Sequence, residues 1–243
     1  MTYAVGMRLK QGLIMMSDTR TNAGVDNISV FEKMFSWHVE GERTLTLMTA
    51  GNLATTQSTV SMLEERTKAP AERSPSILEA PTMFQIARLV AETLKDVIES
   101  HSREGQQADS AFHATLILAG QIAGGPSRLF LIYPEGNFIE AGNDTPFFQI
   151  GETKYGRPIL VRGYDENLGF AEAIKLLLVS FDSTIKANLS VGAPLDLIAY
   201  EEDSFTPGMK RRFEGDDPYF QAISNGWGDA LKSALDKLPD FEG

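Results

Sequence analysis

The apolar segments of this chain fall into separate strand-like and helix-like blocks, and this order strongly constrains its fold. Strand-like runs occupy the first 50 residues, two helical segments follow, and a second strand-like block begins near residue 112. Further helical and strand-like segments come next, and the chain closes with an amphipathic helix over about residues 218–238. Segregated blocks predict an α+β fold, whereas regular alternation would predict βαβ units. Short polar turns between the strands predict antiparallel pairing.

Two antiparallel sheets packed face to face, with helices on both outer faces, account for these blocks. We therefore expect a four-layer αββα sandwich. Periodicity predicts helices over residues 53–68, 82–103 and 169–187, and residues 69–81 are expected to connect the first two. No linker composition divides the chain, which predicts a single domain over residues 1–243.

Charge and composition argue against several functional classes. The chain has 33 acidic and 22 basic residues, and its net charge of −11 should repel phosphate backbones and anionic lipid. We therefore expect neither a nucleic-acid partner nor a membrane partner. The absence of cysteine excludes a disulfide framework and a cysteine nucleophile. The N-terminal residues lack a signal-peptide pattern, and we expect a cytoplasmic protein.

No sequence motif indicates a cofactor or a metal ion. The three histidines, His38, His101 and His113, lack the spacing of metal ligands. The glycines of residues 120–125 are not followed by lysine, so a hairpin turn explains them better than a phosphate-binding loop. We therefore expect neither a cofactor nor a metal site.

The first 33 residues hold the side chains that chemistry at a chain terminus requires. Thr2 precedes a strand-like run, a turn follows at Gln11–Gly12, and a second apolar run ends at Ser17-Asp18-Thr19-Arg20. A hairpin would return the end of the second strand to the start of the first, so that Asp18 would lie near Thr2. Lys33 follows shortly after.

Thr2 can act as a nucleophile once Met1 is removed. It then offers a hydroxyl and a free α-amine, whose ordinary pKa is about 7.7–8.0, so the neutral amine can take the hydroxyl proton. A nearby Lys33 ammonium would lower the pKa of the amine, and Asp18 would hold that lysine in place. Taken singly, each residue also has an ordinary explanation. Thr2 can be a plain second residue, Asp18 can belong to a turn and pair with Arg20 at the surface, and Lys33 can be a solvated side chain.

These residues carry a resemblance to a known family. Proteasome β-type subunits, which are N-terminal-nucleophile hydrolases, have a pattern similar to the order Thr2, Ser17-Asp18-Thr19-Arg20, Lys33 and Ala50-Gly51 found here. The sequence resembles more closely the bacterial proteasome-related family called Anbu. That similarity rests on TYAVG (residues 2–6), SDTRTNAGVDNIS (17–29) and SVGAPLDL (190–197). The order of helices and strands also fits over nearly the whole chain.

The resemblance implies how the N-terminal site would work. Thr2 would be the nucleophile, and Asp18 and Lys33 would be its catalytic partners. Arg20 and Ser190 are expected to support them. The resemblance also implies homo-oligomers, either ring-like or open and helical.

The resemblance further implies an oxyanion site and a substrate pocket. The backbone N–H of Gly51 would stabilise the oxyanion, because a glycine at the start of a helix lets a carbonyl approach closely. Apart from the family, Gly51 is almost as well explained as a simple turn glycine. Thr49 and Leu53, which flank it, would line a pocket for the substrate.

One segment departs from the family pattern. Proteasome subunits typically carry Asp-x-x-Ser-Gly-Gly, which helps to order the N-terminus, whereas residues 188–193 here read NLSVGA. Ser190 can still offer a hydroxyl, but Asn188 replaces the carboxylate. We expect this change to weaken or alter peptidase activity.

We therefore predict a threonine-type peptidase or amidase that acts through an acyl-enzyme at Thr2 in a homo-oligomeric assembly. Two alternatives stay open. The departure at Asn188 favours a hydrolase restricted to short peptides or non-peptide amides. A non-catalytic assembly subunit of the same fold would not need Thr2, Asp18 and Lys33 together.

Overall fold

Two five-stranded antiparallel sheets form the inner layers of the fold. The structure, a computed structural model, describes residues 2–22, 28–68, 75–104 and 109–241. Met1 and residues 69–74 of the expected connector lie outside these ranges.

The first sheet begins immediately after Thr2. Its strands are β1 (Tyr3–Leu9), β2 (Gly12–Asp18), β10 (Phe147–Gly151), β11 (Leu195–Glu201) and β12 (Met209–Phe213). They lie in the order β10-β1-β2-β11-β12, and every pair is antiparallel. All seven residues of β2 are buried, because each face of this strand packs against another layer.

The second sheet supplies the other inner layer. Its strands are β5 (Met34–Val39), β6 (Arg43–Gly51), β7 (Ala114–Ile122), β8 (Arg128–Ile132) and β9 (Phe138–Glu140). They pair antiparallel in sequence order. A short separate pair, β3 (Arg20–Asn22) and β4 (Ile28–Val30), follows β2.

Helices cover the outer face of each sheet. They are α1 (Leu53–Lys68), α2 (Met83–Glu104), α3 (Arg157–Gly163), α4 (Phe170–Ala187) and α5 (Pro218–Leu235). One apolar cluster joins α1 and α2 to the second sheet, another joins α3, α4 and α5 to the first, and a third lies between the sheets. This arrangement confirms the predicted four-layer αββα sandwich.

The structure extends β1 beyond the strand-like run at residues 3–5. Gly6 interrupts the apolar sequence, but a Cβ at Gly6 would lie 2.8 Å from Leu129 Cδ1 of the second sheet. The glycine therefore continues the strand at a point where side chains of the second sheet pack closely against its backbone. The predicted bounds of α1 are confirmed, while α5 ends at Leu235, earlier than the expected residue 238.

The described ranges contain no helix that is both long and apolar enough to cross a membrane. They also contain no group of three or more His, Asp or Glu residues placed to hold a metal ion.

Candidate active site

The β1–β2 hairpin places Asp18 beside the start of β1. Ala4 faces Ser17 in the ladder, so Asp18, which ends β2, comes next to Tyr3. The backbone N–H of Tyr3 donates to Asp18 Oδ1 at 3.0 Å. The hairpin geometry expected from the sequence is therefore present.

Thr2 is fixed through its carbonyl group. The backbone N–H of Glu152 donates to Thr2 O at 2.7 Å, one residue beyond the Tyr3–Gly151 pair of the β1–β10 ladder. Thr2 is only 8% exposed. The peptide bond after Thr2 therefore has both polar atoms bonded, its carbonyl to Glu152 and its N–H to Asp18. These bonds hold the backbone of the candidate nucleophile in one orientation.

Lys33 reaches Asp18 from the second sheet. It precedes β5, and its carbonyl oxygen accepts the N–H of Thr49 on β6 at 2.9 Å. Lys33 Nζ donates to Asp18 Oδ1 at 2.8 Å and to the carbonyl oxygen of Arg20 at 2.5 Å. The side chains of Lys33 and Asp18 are 5% and 0% exposed. The structure thus gathers Lys33 and Asp18 at the Thr2 end of the first sheet.

Burial dominates the ionisation of this pair. Burial raises the pKa of Asp18, and the Lys33 ammonium and the N–H groups of Tyr3 and Gly192 oppose that rise. Burial also lowers the pKa of Lys33, against the attraction of Asp18. A lysine in this setting releases its proton more readily than one in water, as is common for groups in functional sites.

Tyr3 anchors the start of β1 in the core. Its hydroxyl is 2.7 Å from Ser180 Oγ and accepts Gln149 Nε2 at 2.7 Å. Its ring packs on Phe181, with 4.4 Å between the ring centroids. Burial raises the pKa of Tyr3 to about 12, although both hydrogen bonds act to lower it. The neutral phenol therefore fixes the register of β1 next to Thr2.

The loop between α4 and β11 closes the site around the other oxygen of Asp18. The N–H of Gly192 donates to Asp18 Oδ2 at 3.3 Å. A Cβ at Gly192 would overlap the guanidinium of Arg20, so the absence of a side chain lets Arg20 pack there. Arg20 Nη1 also donates to the carbonyl oxygen of Leu189 at 3.2 Å. Arg20 thus braces the loop that holds Asp18.

Ser190 enters this loop through its backbone. Its N–H donates to Asn188 Oδ1 at 3.0 Å, which forms a turn after α4. No hydrogen bond from the Ser190 hydroxyl to Thr2 or Lys33 is found in the described part of the chain. The supporting hydroxyl that the sequence suggested is therefore not brought to the nucleophile.

The backbone N–H of Gly51 faces the same side of β6 as Lys33. The N–H of Thr49 donates to Lys33 O, whereas the N–H of Asn52 donates to His113 O at 3.0 Å on the opposite side. Because N–H directions alternate along a strand, the N–H of Gly51 points towards the side of Lys33. Gly51 is exposed, with φ at +119°, and a Cβ there would overlap His113 O. Glycine therefore fits this position, and its backbone is open to solvent.

The two expected pocket residues flank Gly51 on different elements. Thr49 is buried in β6 and shares a strand face with Leu47, which packs under the helices α1 and α2. Leu53 is half-buried as the first residue of α1. They therefore lie on either side of the strand-to-helix turn at Gly51.

Sequence reasoning missed Glu152. Its N–H bonds to Thr2 O, and its buried carboxylate accepts Asn188 Nδ2 at 3.0 Å. Glu152 is 150 positions from Thr2 in the chain, and only the antiparallel register of β1 with β10 makes them neighbours. No local sequence pattern predicts the contact between Glu152 and Thr2.

Comparison with known proteins agrees with this fold. The family model described as proteasome subunit matches residues 2–197. Anbu (ancestral beta-subunit) from Yersinia bercovieri is 46% identical with a TM-score of 0.92, covering 99% of this chain and 100% of that chain. The Anbu (Gly-1) mutant from Hyphomicrobium sp. strain MC1 is 46% identical with a TM-score of 0.92, covering 100% of both chains.

A third solved structure extends the comparison to an assembly. The helical assembly of the Anbu complex from Pseudomonas aeruginosa contains a chain that is 44% identical, with a TM-score of 0.92. The match covers 99% of this chain and 98% of that chain. Comparison with curated proteins gave no match. Because the similarity spans the whole fold and not the N-terminal site alone, the chain belongs to the Anbu family of proteasome-type subunits.

Proposed function

We propose that the chain is a threonine-type amide hydrolase in which Thr2, freed of Met1, forms an acyl-enzyme with its substrate. One observation carries this proposal: Asp18 Oδ1 accepts both the N–H of Tyr3 and Lys33 Nζ. A buried ion pair is thereby tied to the backbone of the nucleophile. Burying such a pair contributes little to stability, but groups perturbed in this way are common at functional sites.

Acylation begins with proton transfer within Thr2. The α-amine, neutral near physiological pH, takes the hydroxyl proton directly or through a water molecule while Oγ1 attacks the amide carbonyl. The carbonyl oxygen becomes an oxyanion and accepts the N–H of Gly51. The amide C–N bond then breaks, the amine proton passes to the leaving nitrogen, and an ester on Thr2 remains.

Deacylation uses a water molecule. The α-amine of Thr2 takes a proton from this water as the water oxygen attacks the ester carbonyl. The acid product leaves when the ester C–O bond breaks and the proton returns to Oγ1. Throughout, the charge of Lys33 favours the neutral amine, and Asp18 keeps Lys33 in place.

Peptides or small amides are the proposed substrates, with Thr49 and Leu53 beside the carbonyl site. The replacement of aspartate by Asn188 favours a narrower form of the proposal, restricted to short peptides or non-peptide amides. Turnover of an unfolded protein the size of casein would count against that narrower form. A non-catalytic assembly subunit is the alternative of another class, and it requires that Thr2→Ala leave every phenotype intact.

We also propose that the chain assembles with copies of itself and acts in the cytoplasm. Support comes from the related Pseudomonas aeruginosa protein, whose structure is described as a helical assembly. Light scattering over a range of protein concentrations tests self-assembly, and a monomer at every concentration would refute it. The net charge of −11 supports the expectation that nucleic acid and membranes are not partners.

Intact mass before and after incubation with a peptidyl epoxyketone tests the catalytic proposal. This reagent closes a ring with both the hydroxyl and the α-amine of an N-terminal threonine. Protein that begins at Thr2 should gain one inhibitor mass, and the Thr2→Ala variant should gain none. An unlabelled protein that begins at Thr2 would argue against peptide hydrolysis and favour the small-amide or non-catalytic alternatives.

A further inference from the structure

Glu152 is a buried carboxylate that accepts hydrogen bonds from neutral donors. It is 9% exposed, and it accepts Lys154 N–H at 3.3 Å and Asn188 Nδ2 at 3.0 Å. Among residues 2–22, 28–68, 75–104 and 109–241, no lysine, arginine or histidine side chain pairs with it. Burying a carboxylate is costly unless a positive charge compensates it.

The start of β1 is the neighbour of Glu152 in the sheet. The N–H of Glu152 donates to Thr2 O at 2.7 Å, and Gly151 lies so close that a Cβ there would overlap the same oxygen. When Thr2 is the first residue of the chain, its own α-amine becomes an ammonium ion in the protonated state. A carboxylate without a cation and an ammonium without a dedicated anion then lie at one end of β1.

Asn188 connects Glu152 to the loop around Asp18. Its amide donates to Glu152 Oε2, and its carbonyl oxygen accepts the N–H of Ser190 at 3.0 Å. Gly192, two residues further, donates to Asp18 Oδ2. This loop is where asparagine replaces the aspartate of the family pattern. The amide of Asn188 therefore binds the carboxylate of Glu152, which comes to this loop from the residue directly after β10.

We propose that Glu152 is a positioning residue for the Thr2 α-amine, with its carboxylate as the counter-ion of the ammonium in place of the one absent at Asn188. The inference deepens the proposed function and rests on it in requiring Thr2 to be the first residue. Glu152 does not touch the substrate carbonyl in this scheme. It orients the amine that serves as the base.

Other charged groups packed around this end of β1 set the direction of the effect. Lys33 pairs with Asp18 at 2.8 Å, and on α4 Asp182 pairs with Lys186 at 2.8 Å. Arg20 braces the 188–192 loop. The Lys33 charge acts to lower the pKa of the amine. The Glu152 carboxylate acts to raise that pKa, because a nearby anion favours the ammonium.

The test measures the amine directly in protein that begins at Thr2, released from an N-terminal fusion. Short pulses of acetic anhydride at a series of pH values, followed by peptide mass spectrometry, give the pKa of the amine. Glu152→Gln and Glu152→Ala both remove the charge. We expect either to lower the pKa of the amine by about 0.5–1. Circular dichroism melting identifies which variant keeps the fold, and Glu152→Ala leaves no buried amide behind.

Glu166→Gln is the matched control. Glu166 pairs with Lys10 at 2.9 Å just beyond the far end of β1, about 25 Å from Thr2, so this variant changes the net charge equally without touching the site. The pKa of the amine should stay at the wild-type value. The double variant Glu152→Gln/Asn188→Asp returns a carboxylate to the loop and should restore the higher pKa. A purely structural role for Glu152 would not respond to this transfer of charge.

The outcomes separate the two proposals. The pKa of the amine is measured without catalysis, so a fall in Glu152→Gln supports the role of Glu152 even if wild-type protein forms no epoxyketone adduct. In that case the hydrolase proposal alone fails. An adduct with wild-type protein, together with an unchanged pKa in both folded Glu152 variants, overturns the role of Glu152 and leaves the hydrolase proposal standing.

Discussion

Asp18 and Lys33 form a buried ion pair across the boundary between the two sheets. Asp18 ends β2 of the first sheet, Lys33 precedes β5 of the second, and Nζ lies 2.8 Å from Oδ1. The same oxygen accepts the N–H of Tyr3. The packing of the two sheets therefore sets the position of the ammonium relative to Thr2, and the site is complete only in the folded sandwich.

Removing one partner of this pair should cost more stability than removing both. In Asp18→Asn, the Lys33 ammonium stays buried without a counter-charge, and the free energy of unfolding should fall by about 3 kcal/mol. In Asp18→Asn/Lys33→Met, no unpaired charge is left, so the loss should be smaller than that of either single variant. Guanidinium chloride unfolding of the single and double variants measures the coupling energy.

The exposed pair Lys10–Glu166, whose atoms lie 2.9 Å apart, is the control for this cycle. An exposed pair is screened by water, so its coupling energy should be below about 1 kcal/mol. A coupling energy for Asp18 and Lys33 as small as this would contradict the prediction.

Tyr3 should make the fold sensitive to alkaline pH. Burial raises the pKa of Tyr3 to about 12 from the ordinary value of 10.0. Because the folded state holds this proton more tightly than the unfolded state, the contribution to stability is complete below pH 10 and is lost as the pH rises to about 12. The free energy of unfolding should fall by about 3 kcal/mol through this group.

Tyr3→Phe isolates that effect, because it keeps the ring that packs on Phe181 and removes only the hydroxyl. At pH 8 this variant should be less stable than wild type by about 1 kcal/mol, since the hydrogen bonds with Ser180 and Gln149 are lost. The difference should reach zero near about pH 11 and reverse by about pH 12, because only the wild type carries the buried phenol that must then lose its proton. Urea unfolding of both proteins measures it, and a difference that stays constant with pH would refute the assignment.

Local sequence patterns were sufficient for the parts of the fold and site that one hairpin brings together. Apolar runs around Gln11–Gly12 predicted the β1–β2 turn, and that turn alone carries Asp18 back to Tyr3. Regular apolar spacing likewise predicted α1 and α4 to within one residue. The chemistry of an N-terminal nucleophile suggested Lys33, and the family resemblance added Gly51. The contacts of both residues depend on how the two sheets pack.

Two features depend on pairing that local patterns do not encode. The strands β3 (Arg20–Asn22) and β4 (Ile28–Val30) have three residues each, which is too short to display an alternation of apolar and polar residues. Glu152 follows a strand in an ordinary polar turn, and its role arises from the register that places it opposite Thr2. The same register also explains the glycine before it.

The hydroxyl of Thr2 should be needed for chemistry and not for folding. It has no hydrogen-bond partner among the described residues. Thr2→Val keeps the shape of the side chain, so the free energy of unfolding should stay within about 0.5 kcal/mol of wild type. Intact mass should show no epoxyketone adduct on Thr2→Val, whereas Thr2→Ser, which keeps a hydroxyl and an amine, should still react. Labelling of Thr2→Val at the wild-type rate would exclude Thr2 as the nucleophile.

Gly151 should be required for the position of Thr2. It has φ at +81°, and a Cβ there would overlap Thr2 O. Gly124 is the matched control, with φ at +84° and open space around the added carbon. Alanine at either position incurs backbone strain of about 1 kcal/mol, but only Gly151→Ala also displaces the backbone that carries the nucleophile.

These two glycine variants should therefore differ in activity more than in strain. Gly124→Ala should form the epoxyketone adduct at the wild-type rate. Gly151→Ala should form it at least about tenfold more slowly, because a displacement near 1 Å is enough to spoil a near-attack geometry. Time courses of intact mass give both rates, and melting curves show whether each variant is folded. Equal rates in two folded variants would mean that the contact between Gly151 and Thr2 does not position the nucleophile.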